Sequence, residues 1–561
     1  MKIIKEHLLL LLIIFLGIIP LLDLFHPGLP LTHDGQDHVA RIANFYQSLS
    51  EGNIVPRWAG NLNWGYGHPI LMFLYPLPSY ISSLFHVLGF SLIDSVKLVY
   101  GLTYILSGIA MYLWVKEFLS REAGFVAAIL YMFAPYRFVE LYVRGDIGEH
   151  VAFVFPPLVL YFLIKIYKLK PDRYFDIKNY PYFTGISFSM VGLILAHNAV
   201  TVMFLPIIAG YVLYLFYISK NKYLFAQSIA ALFFGFILSS FFLLPAYFEG
   251  KYTLRDIVTD LVYTSRFVNF KDLLYGDWSY GITGQFSVQI GLLQILSVLL
   301  SPLLIVKFFK KNRRLAALCL LFLVVFVIST FLMFRESDII WETVTILQKF
   351  QFPWRFLYVT IFSTAVLGGF VFYYISKRKF SKYFLLIFII LILLINRNYW
   401  HAKSFLYKPD NFFEGIYDGT TDTGESSPIW SVRFMEARSS FRIKVISGEA
   451  KISEKSRNST EHKYQIDSIS LSRIRENTLY FPGWAVIVNG REIPVQFQDP
   501  LNRGVITFNL EKGLNNVSIK FEDTKLRKFA NVLSVSSFLI IITYGLIFLI
   551  TSRKEQKLNL R

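Results

Sequence analysis

The chain has 561 residues, of which 54% are hydrophobic and only 17% are charged, and its formal net charge is +18. A soluble protein of this size carries more charge, so the composition argues against a soluble enzyme and for a membrane protein. The positive residues form short clusters between apolar runs, which is typical of cytoplasmic loops and disfavours nucleic acid as a partner. A single cysteine excludes a disulfide framework within the chain.

Long apolar runs predict membrane-spanning helices along most of the chain, because a span needs roughly 20 apolar residues. The first run resembles a signal peptide, but no small-residue cleavage site follows it, so we interpret it as an uncleaved span. Predicted spans cover residues 8–25, 95–115, 123–135, 150–168, 182–196, 200–218, 223–246, 286–306, 315–334, 355–375, 383–396 and 530–550. Residues 70–88 form a further apolar stretch, in which Pro76 and Pro78 break helical hydrogen bonding. The predicted fold class is a polytopic α-helical membrane protein with about 12–13 spans.

Basic residues predict the orientation of these spans. The groups nearest the two ends are Lys2, Lys5, Arg553, Lys554 and Lys557. They place both termini in the cytoplasm, which requires an even number of crossings. Twelve spans satisfy this requirement if residues 70–88 enter the membrane without crossing it; if they cross, the short run 123–135 is the obvious segment to fail. In the first interpretation the extracytoplasmic segments are 26–94, 136–149, 247–285, 335–354 and 397–529.

The chain changes character after residue 396, where charges of both signs become frequent and long apolar runs stop. Asn489-Gly490 lies between two β-prone runs and predicts a tight hairpin. Further strands are predicted at about 441–446, 504–510 and 515–521. We therefore expect a multi-span module at 1–396 with external loops 26–94 and 136–149, a small extracytoplasmic β-sandwich-like domain at 397–529, a final transmembrane helix at 530–551, and a basic cytoplasmic tail at 552–561.

The first external segment carries two histidines and two aspartates, at His33, Asp34, Asp37 and His38. Charged groups held against a membrane are costly to desolvate, so such a cluster suggests a functional site. A second interpretation makes Asp34 the N-cap of the following helix and pairs Asp37 with Arg41 at i,i+4. Asp34, Asp37 and His38 could also bind a divalent metal such as zinc or manganese, although their spacing matches no common metal motif.

The second external segment contains Arg144, Asp146 and Glu149. Arg144 could hold a phosphate through charge-assisted hydrogen bonds, with the two carboxylates positioning a hydroxyl or a metal. The alternative is an internal pair of Arg144 with Asp146 or with Glu149 that fixes the loop.

Three further polar residues lie at predicted span ends. His197 lies between two apolar runs and suggests a helix break, while Glu249 and Arg355 lie at outward ends. Arg355 could extend to lipid headgroups or receive a lipid phosphate. His33, His38, Asp146, Glu149, His197 and Glu249 are predicted as supporting polar groups.

Several motifs are missing from the sequence. It has no GxxxxGK[ST] phosphate loop, no Rossmann glycine fingerprint, no HExxH and no GxSxG. Nucleotide-driven transport by this chain, zinc proteolysis and α/β-hydrolase chemistry are therefore disfavoured.

Three patches of the sequence resemble one group of membrane proteins. They comprise Thr32-His33-Asp34, His38, Gly52, Pro56-Arg57-Trp58, Gly65-Tyr66-Gly67 and Tyr75-Pro76-Leu77; then Arg144-Gly145-Asp146-Ile147-Gly148-Glu149; then Tyr480-Phe481-Pro482-Gly483-Trp484. Together they resemble the GT-C glycosyltransferase superfamily, and within it the "6-pyruvoyl-tetrahydropterin synthase-related" and YfhO-type membrane proteins.

The resemblance implies an enzyme that takes a sugar from a polyprenyl-phosphate carrier on the outer face of the cell membrane. The superfamily carries an acidic residue in the first external loop, and Asp34 matches that position. Asp34 and Asp37 would be the catalytic pair, although they are three residues apart where the family's pair is closer. Arg144 and Arg355 would bind the donor phosphate. The implied partners are a lipid-linked sugar donor, a glycan, lipid or protein acceptor, and membrane lipids.

Two other functions remain open on the sequence. One is a transporter or flippase of a lipid-linked glycan, which broken helices would favour. The other is a non-catalytic glycan-assembly protein in which the β-domain does the work. Fold analogy alone does not decide between them.

Overall fold

The computed structural model describes residues 2–174, 176–281 and 285–559, and it describes the side chains of residues 6–551 within those ranges. The basic side chains from which the orientation was predicted, including those of the 552–561 tail, therefore lie outside the described residues. The helices are α1 Lys2–Ile18, α2 Gly35–Ser50, α3 Leu77–Val87, α4 Leu92–Val115, α5 Arg121–Met132, α6 Pro135–Val139, α7 Ile147–Ala152, α8 Phe155–Leu169, α9 Tyr180–Ala196, α10 Asn198–Ser219, α11 Lys222–Leu238, α12 Ser240–Phe248, α13 Arg255–Val258, α14 Phe270–Leu274, α15 Leu292–Lys311, α16 Arg313–Phe331, α17 Asp338–Thr343, α18 Thr345–Gln348, α19 Leu357–Ile375, α20 Ser381–Asn396, α21 Asp410–Glu414 and α22 Lys525–Asn559.

Within the described ranges, eight helical segments are long and apolar enough to cross a membrane, or up to ten if each of two bent pairs is one span. The eight are Glu6–Phe25, Leu92–Val115, Ile147–Leu169, Asn198–Ser219, Leu292–Lys311, Arg313–Phe331, Pro353–Ile375 and Lys525–Thr551. The bent pairs are α5 with Pro135–Arg144, at 46°, and α11 with α12, at 69°. The predicted spans 182–196 and 383–396 form the shorter helices α9 and α20. The prediction of a multi-pass helical membrane protein is confirmed, and its total of about 12–13 crossings stays a prediction.

Two apolar stretches of the sequence differ in detail from the helices that form. Residues 70–88 contain a 3₁₀ turn at Pro69–Met72 and then α3, whose 11 residues are too short to cross the membrane. The run predicted to begin at residue 286 becomes helical only at Leu292. Gly291 adopts a φ of 109°, which residues with a side chain rarely adopt, and it separates an extended segment from the helix.

The centre of the bundle is formed where α19 packs on α5. In the most apolar window of the span Pro353–Ile375, 89% of residues are buried, against 17% for the span Lys525–Thr551. Gly368 makes this close approach possible, because a Cβ there would meet the Leu130 side chain at 2.0 Å. Small residues at such contacts let helix backbones approach in a lipid environment. The α19 span therefore lies inside the protein, and the last span faces lipid.

The C-terminal region forms two antiparallel sheets. Their strands are β3 Ile443–Ser447, β4 Ala450–Arg457, β5 Glu461–Ser468, β6 Ser472–Leu479, β7 Trp484–Val488, β8 Arg491–Ile493, β9 Val505–Leu510 and β10 Gly513–Phe521. The five-stranded sheet has the order β4-β5-β10-β7-β8 and the three-stranded sheet the order β3-β6-β9. A separate pair of short strands joins β1 Leu29–Pro30 to β2 Phe405–Leu406.

The hairpin predicted from Asn489-Gly490 is confirmed. Strands β7 and β8 pair in register from Val486 opposite Ile493 to Val488 opposite Arg491, joined by Asn489 and Gly490 at positive φ. Both central residues at φ > 0 is the geometry that Asn-Gly favours. Strands β4, β5 and β6 were missed, although β5 shows alternating buried residues. The division into domains at residues 396 and 529 stays a prediction; α22 begins at Lys525.

Two ion pairs, of which only Arg527–Glu249 is fully buried, attach this region to the helical module. Arg57 Nε lies 3.0 Å from Asp523 Oδ1, and Arg527 Nε donates to Glu249 Oε2 at 2.8 Å. Thr524 also donates to Glu249, at 2.9 Å. Glu249, which was predicted as a supporting group at the site, thus holds the start of α22.

Candidate functional site

The site is built on a break between two helices. A π-helical turn, Glu140–Arg144, extends the bent span and ends at Gly145, which has a φ of 69°. A Cβ on Gly145 would meet Thr32 Oγ1 at 2.1 Å, so glycine is required by both its conformation and its neighbour. Asp146 then caps α7, since its Oδ1 accepts from the Glu149 N–H at 3.0 Å. The helix break at Gly145 therefore brings Arg144, which precedes it, into contact with Asp146 and Glu149, which follow it.

Backbone hydrogen bonds join the two external loops that the sequence singled out. The His33 N–H donates to Val143 O at 2.9 Å, and the Asp34 N–H donates to Arg144 O at 2.8 Å. The His33 ring lies against Phe286, with ring centroids 6.0 Å apart. The first loop is therefore held directly beside the second.

Arg144 is the centre of a buried network. Its Nη1 donates to Glu149 Oε2 at 2.7 Å and to the Tyr136 hydroxyl at 3.3 Å, and it also contacts Glu140. Its Nη2 donates to Glu149 Oε1 at 3.2 Å and to Asp146 Oδ2 at 3.3 Å. An arginine has four terminal N–H groups, and these contacts use them. The internal pair considered in the sequence thus forms, and it includes a third carboxylate, Glu140.

A second arginine, Arg355, contacts the Glu149 carboxylate from the 3₁₀ turn Pro353–Phe356, which directly precedes α19. Arg355 Nε donates to Glu149 Oε1 at 2.8 Å, and its Nη1 donates to the Phe350 carbonyl at 2.8 Å. The side chain is 14% exposed. Among the described residues, no group accepts a hydrogen bond from Arg355 Nη2. Arg355 therefore keeps a terminal N–H donor that a bound anion could use, whereas both terminal nitrogens of Arg144 already donate to carboxylates.

His197 completes the cluster at the break between α9 and α10. Its Nε2 lies 4.0 Å from Asp146 Oδ2 and 4.0 Å from Glu149 Oε1, and its ring packs on Tyr75 at 4.8 Å. The Tyr75 hydroxyl donates to Asp146 Oδ1 at 3.1 Å. The helix break that the sequence suggested at His197 is present, and it brings the ring to the carboxylates.

Asp146, Glu149 and His197 are also the group whose ligand atoms lie close enough for a metal, within 4.8 Å of one another, among the described residues. Their orientation does not fit one. His197 Nδ1 accepts from the Val200 N–H at 3.3 Å, so the neutral ring carries its proton on Nε2, the atom that faces the carboxylates. Both Glu149 oxygens are hydrogen-bonded to arginine. A resident divalent metal would have to displace these contacts.

If the protein catalyses a reaction at this site, we expect that reaction to proceed at the same rate after divalent metals are removed. The measurement is the initial rate of that reaction after treatment with a chelator, compared with its rate after added Mn²⁺ or Zn²⁺. Loss of activity on chelation and its recovery with one metal would contradict this interpretation of the donor set.

The metal site suggested in the sequence involves different residues. His38 Nδ1 is engaged by Arg41 Nη1 at 3.0 Å, and Asp37 Oδ1 accepts from the Tyr417 hydroxyl at 2.6 Å. Asp34, Asp37 and His38 do not form a three-ligand group in the described part of the chain. The expected Asp37–Arg41 ion pair does not form there either, because Arg41 turns to the backbone and side chain of Thr421.

Asp34 differs from every other acidic residue of the cluster. It occupies the N-cap position of α2, but its side chain makes no capping hydrogen bond. It is half-buried, and no described residue donates to its carboxylate. Burial raises the pKa of Asp34 to about 6, an effect that Arg144 opposes and Asp146 adds to. A carboxylate without a protein partner and with a pKa near neutrality is suited to accept a proton.

A cavity of about 310 Å³ lies next to the cluster. The extended segment before α15, including Phe286, lines it, as does Trp354. The same Trp354 ring lies 4.6 Å from the Arg144 guanidinium carbon. The cavity therefore reaches the wall of the charged network.

Several residues at the site were missed by the sequence argument. Glu140 precedes Arg144 by four residues, a spacing that predicts a pair on a helix. Tyr417 and Thr421 come from the segment after the last predicted span of the module, and no local pattern connects them to α2.

More than half of the chain matches one known family of membrane proteins. Residues 71–402, more than half of the chain, match the family described as "6-pyruvoyl-tetrahydropterin synthase related domain; membrane protein". The chain belongs to this family. A protein of Lactococcus lactis subsp. cremoris (strain MG1363), described as an uncharacterized protein, is 27% identical over 233 residues, which are 39% of this chain and 36% of that protein.

Solved structures of three enzymes or complexes resemble this family member in part. The archaeal oligosaccharyltransferase AglB from Archaeoglobus fulgidus, in complex with an inhibitory peptide and a dolichol-phosphate, is 13% identical with a TM-score of 0.47, over 76% of this chain and 61% of that one. Arabinofuranosyltransferase AftD from Mycobacteria is 12% identical with a TM-score of 0.44, over 70% and 27%. ArnT from Cupriavidus metallidurans, bound to undecaprenyl phosphate, is 12% identical with a TM-score of 0.35, over 73% and 68%. The chain spans about a third of the curated relative and about three-fifths of AglB.

Proposed function

We propose that the protein is a membrane glycosyltransferase that moves a sugar from a polyprenyl-phosphate carrier to an acceptor hydroxyl on the extracytoplasmic side. The observation that carries this proposal is the Asp34 carboxylate, which has no protein hydrogen-bond partner among the described residues and is held by its backbone against the Arg144 network. The enzymes that the chain resembles in part include an oligosaccharyltransferase and an arabinofuranosyltransferase. We extend their kind of reaction to this chain as part of the proposal.

In the proposed reaction, Asp34 and Arg355 have separate roles. Asp34 takes the proton of the acceptor hydroxyl while the oxygen attacks the anomeric carbon of the sugar. The bond between that carbon and the phosphate oxygen breaks, and the electron pair leaves with the polyprenyl phosphate. Arg355 Nη2 stabilises the negative charge that grows on the phosphate. Water is not consumed, and no redox partner is needed.

Arg144 receives a different task from the one the sequence suggested. Its terminal N–H groups hold Glu140, Asp146 and Glu149, so a phosphate would have to replace one of them. We assign Arg144 to fixing the second loop and to keeping Glu149 in place for Arg355. Asp37 is assigned to a supporting role, since Tyr417 already donates to it.

A flippase for the same lipid is the second candidate, and a specific observation favours it. Two spans are bent, by 46° and 69°, and the first bent span ends in the charged turn Glu140–Arg144. Broken helices that bring charged groups to the membrane are typical of transporters. Under this function Asp34 would orient the lipid headgroup without accepting a proton.

A panel of polyprenyl-phosphate sugars separates the two functions. The purified protein in lipid vesicles is given each donor, with water as the nucleophile in place of the acceptor hydroxyl, and both sugar release and movement of the donor between leaflets are measured. We expect release of the sugar from at least one donor. Movement of intact donor between leaflets, without release from any of them, would support the flippase.

The pH dependence of the reaction provides a further prediction. Because the raised pKa of Asp34 extends its protonated form to higher pH, its base form is lost as the pH falls through about 6. We expect kcat/KM to fall about tenfold per pH unit below about pH 6. The Asp37→Asn variant is the control and should keep this limb. A profile that stays flat down to pH 5 would contradict the assignment of Asp34 as the base.

A further inference from the structure

One face of α2 points at the charged cluster. Asp34, His38 and Arg41 are spaced at i, i+4 and i+7, so they lie on the same side of the helix. The Asp34 N–H bond to Arg144 O fixes the start of that face against the second loop. His38 is thus the next residue along the face from the proposed base.

The hydrogen bond between His38 and Arg41 determines where the histidine proton lies. Arg41 Nη1 is 3.0 Å from His38 Nδ1, and a guanidinium can only donate. Nδ1 must therefore accept. Burial is the main cause and Arg41 the second cause that lower the pKa of His38 to about 3, so the ring is neutral. A neutral ring that accepts at Nδ1 carries its proton at Nε2.

That Nε2–H group has no acceptor in the protein. His38 is 4% exposed, and among the described residues nothing hydrogen-bonds its Nε2. A buried donor without an acceptor is destabilising, because it has lost its hydrogen bond to water, and such groups are rare in folded proteins. Beyond Arg41, the charged groups that act most strongly on the pKa of the ring belong to the cluster, namely Asp146, Arg144 and His197. The unused donor therefore lies at the site.

We propose that His38 Nε2–H donates a hydrogen bond to an oxygen of the substrate beside Asp34. This inference rests on the proposed function, since the oxygen belongs either to the donor phosphate or to the acceptor hydroxyl. Arg41 acts as a positioning residue: it holds the ring through Nδ1 and is itself held by Thr421, to whose Oγ1 its Nε donates at 3.3 Å. The segment that carries Thr421 thus contributes to the geometry of the site through Arg41.

Two substitutions at His38 separate the donor from the packing. In His38→Gln the side-chain amide can place an N–H where Nε2 was. In His38→Asn the amide oxygen can still accept from Arg41, but no N–H reaches the Nε2 position. We expect His38→Asn to lower kcat/KM for sugar transfer by about 10- to 100-fold, the usual range for a hydrogen bond to a charged group. His38→Gln should lose clearly less than His38→Asn, because its amide restores the N–H donor.

The two sources of the oxygen are distinguished by binding of undecaprenyl phosphate to the same proteins in vesicles. Weaker binding by His38→Asn alone assigns the bond to the phosphate. Equal binding with a lower kcat assigns it to the acceptor hydroxyl. Wild-type behaviour of His38→Asn in both measurements would overturn the inference, as would equal losses in both variants, which indicate packing.

A spectroscopic measurement on the wild-type protein keeps the inference independent of the reaction. The ¹⁵N spectrum of histidine-labelled protein, with the His38 signal assigned by its loss in His38→Gln, reports which ring nitrogen carries the proton. A proton on Nε2 is expected, and a proton on Nδ1 would overturn the inference. If the wild type releases no sugar from any donor, the proposed function fails, while this spectrum and the binding of undecaprenyl phosphate still test His38.

Discussion

Replacing Glu149 with glutamine is expected to destabilise the protein by about 3–5 kcal/mol, the usual cost of removing one partner from a buried ion pair. The carboxylate accepts from both Arg144 and Arg355 and is fully buried. Without its charge, Arg355 loses its only carboxylate partner in the described chain, and Arg144 keeps Glu140 and Asp146. The measurement is the thermal or denaturant midpoint of the detergent-solubilised protein, which should fall clearly.

A surface pair provides the matched control for this loss. Glu454 lies 3.2 Å from Arg442, and both side chains are more than a third exposed. Because water screens such pairs, Glu454→Gln should change stability by less than about 1 kcal/mol. Equal midpoints for the two variants would mean that the Arg144 network contributes nothing to the fold, contrary to the geometry described.

The Asp34→Asn variant is expected to lose about 10²- to 10⁴-fold in the rate of sugar transfer, the range that a positioned general base contributes. The substitution keeps the size of the side chain and leaves the Asp34 N–H bond to Arg144 O intact, since that bond uses the backbone. Stability should therefore change little, and the lipid donor should still bind. The rate is measured in single turnover, so that product release does not mask the chemical step.

Asp37→Asn controls for a general loss of negative charge in the first loop. The Tyr417 hydroxyl donates to Asp37, and an amide oxygen can accept the same hydrogen bond. We expect the rate to fall by less than about tenfold. If Asp37→Asn loses as much as Asp34→Asn, the two carboxylates act as a pair, and the separate roles assigned to them are wrong.

The sequence predicted those features of the fold that are local along the chain. Apolar runs of span length became helices, because the backbone must satisfy its hydrogen bonds internally in lipid. The hairpin at Asn489-Gly490 formed because few residues other than Asn and Gly adopt positive φ in both turn positions. The start of the span at Leu292 was missed because the extended segment before it is also apolar. That segment lines the cavity and is not part of the helix.

The candidate site was predictable only in the parts that are close in sequence. Arg144, Asp146 and Glu149 lie within six residues, and their mutual pairing was one of the interpretations considered. The contact of Arg355 with Glu149 joins residues 206 positions apart, and that of Tyr417 with Asp37 joins residues 380 apart. Such contacts depend on how the helices and the C-terminal region pack. The Asp37–Arg41 pair failed for the same reason, since Thr421 offered Arg41 buried acceptors that no spacing rule contains.

The measurement that tests the central claim most directly is the appearance of free polyprenyl phosphate during a single turnover in vesicles containing the wild-type protein. The donor is the lipid-linked sugar that the panel selects, and the labelled acceptor is followed in the same samples. If Asp34 acts as the base for transfer, one free polyprenyl phosphate appears for each sugar on the acceptor, and both products are lost together in Asp34→Asn. Intact lipid-linked sugar that is bound or moved equally by both proteins, with no free polyprenyl phosphate, would contradict the account.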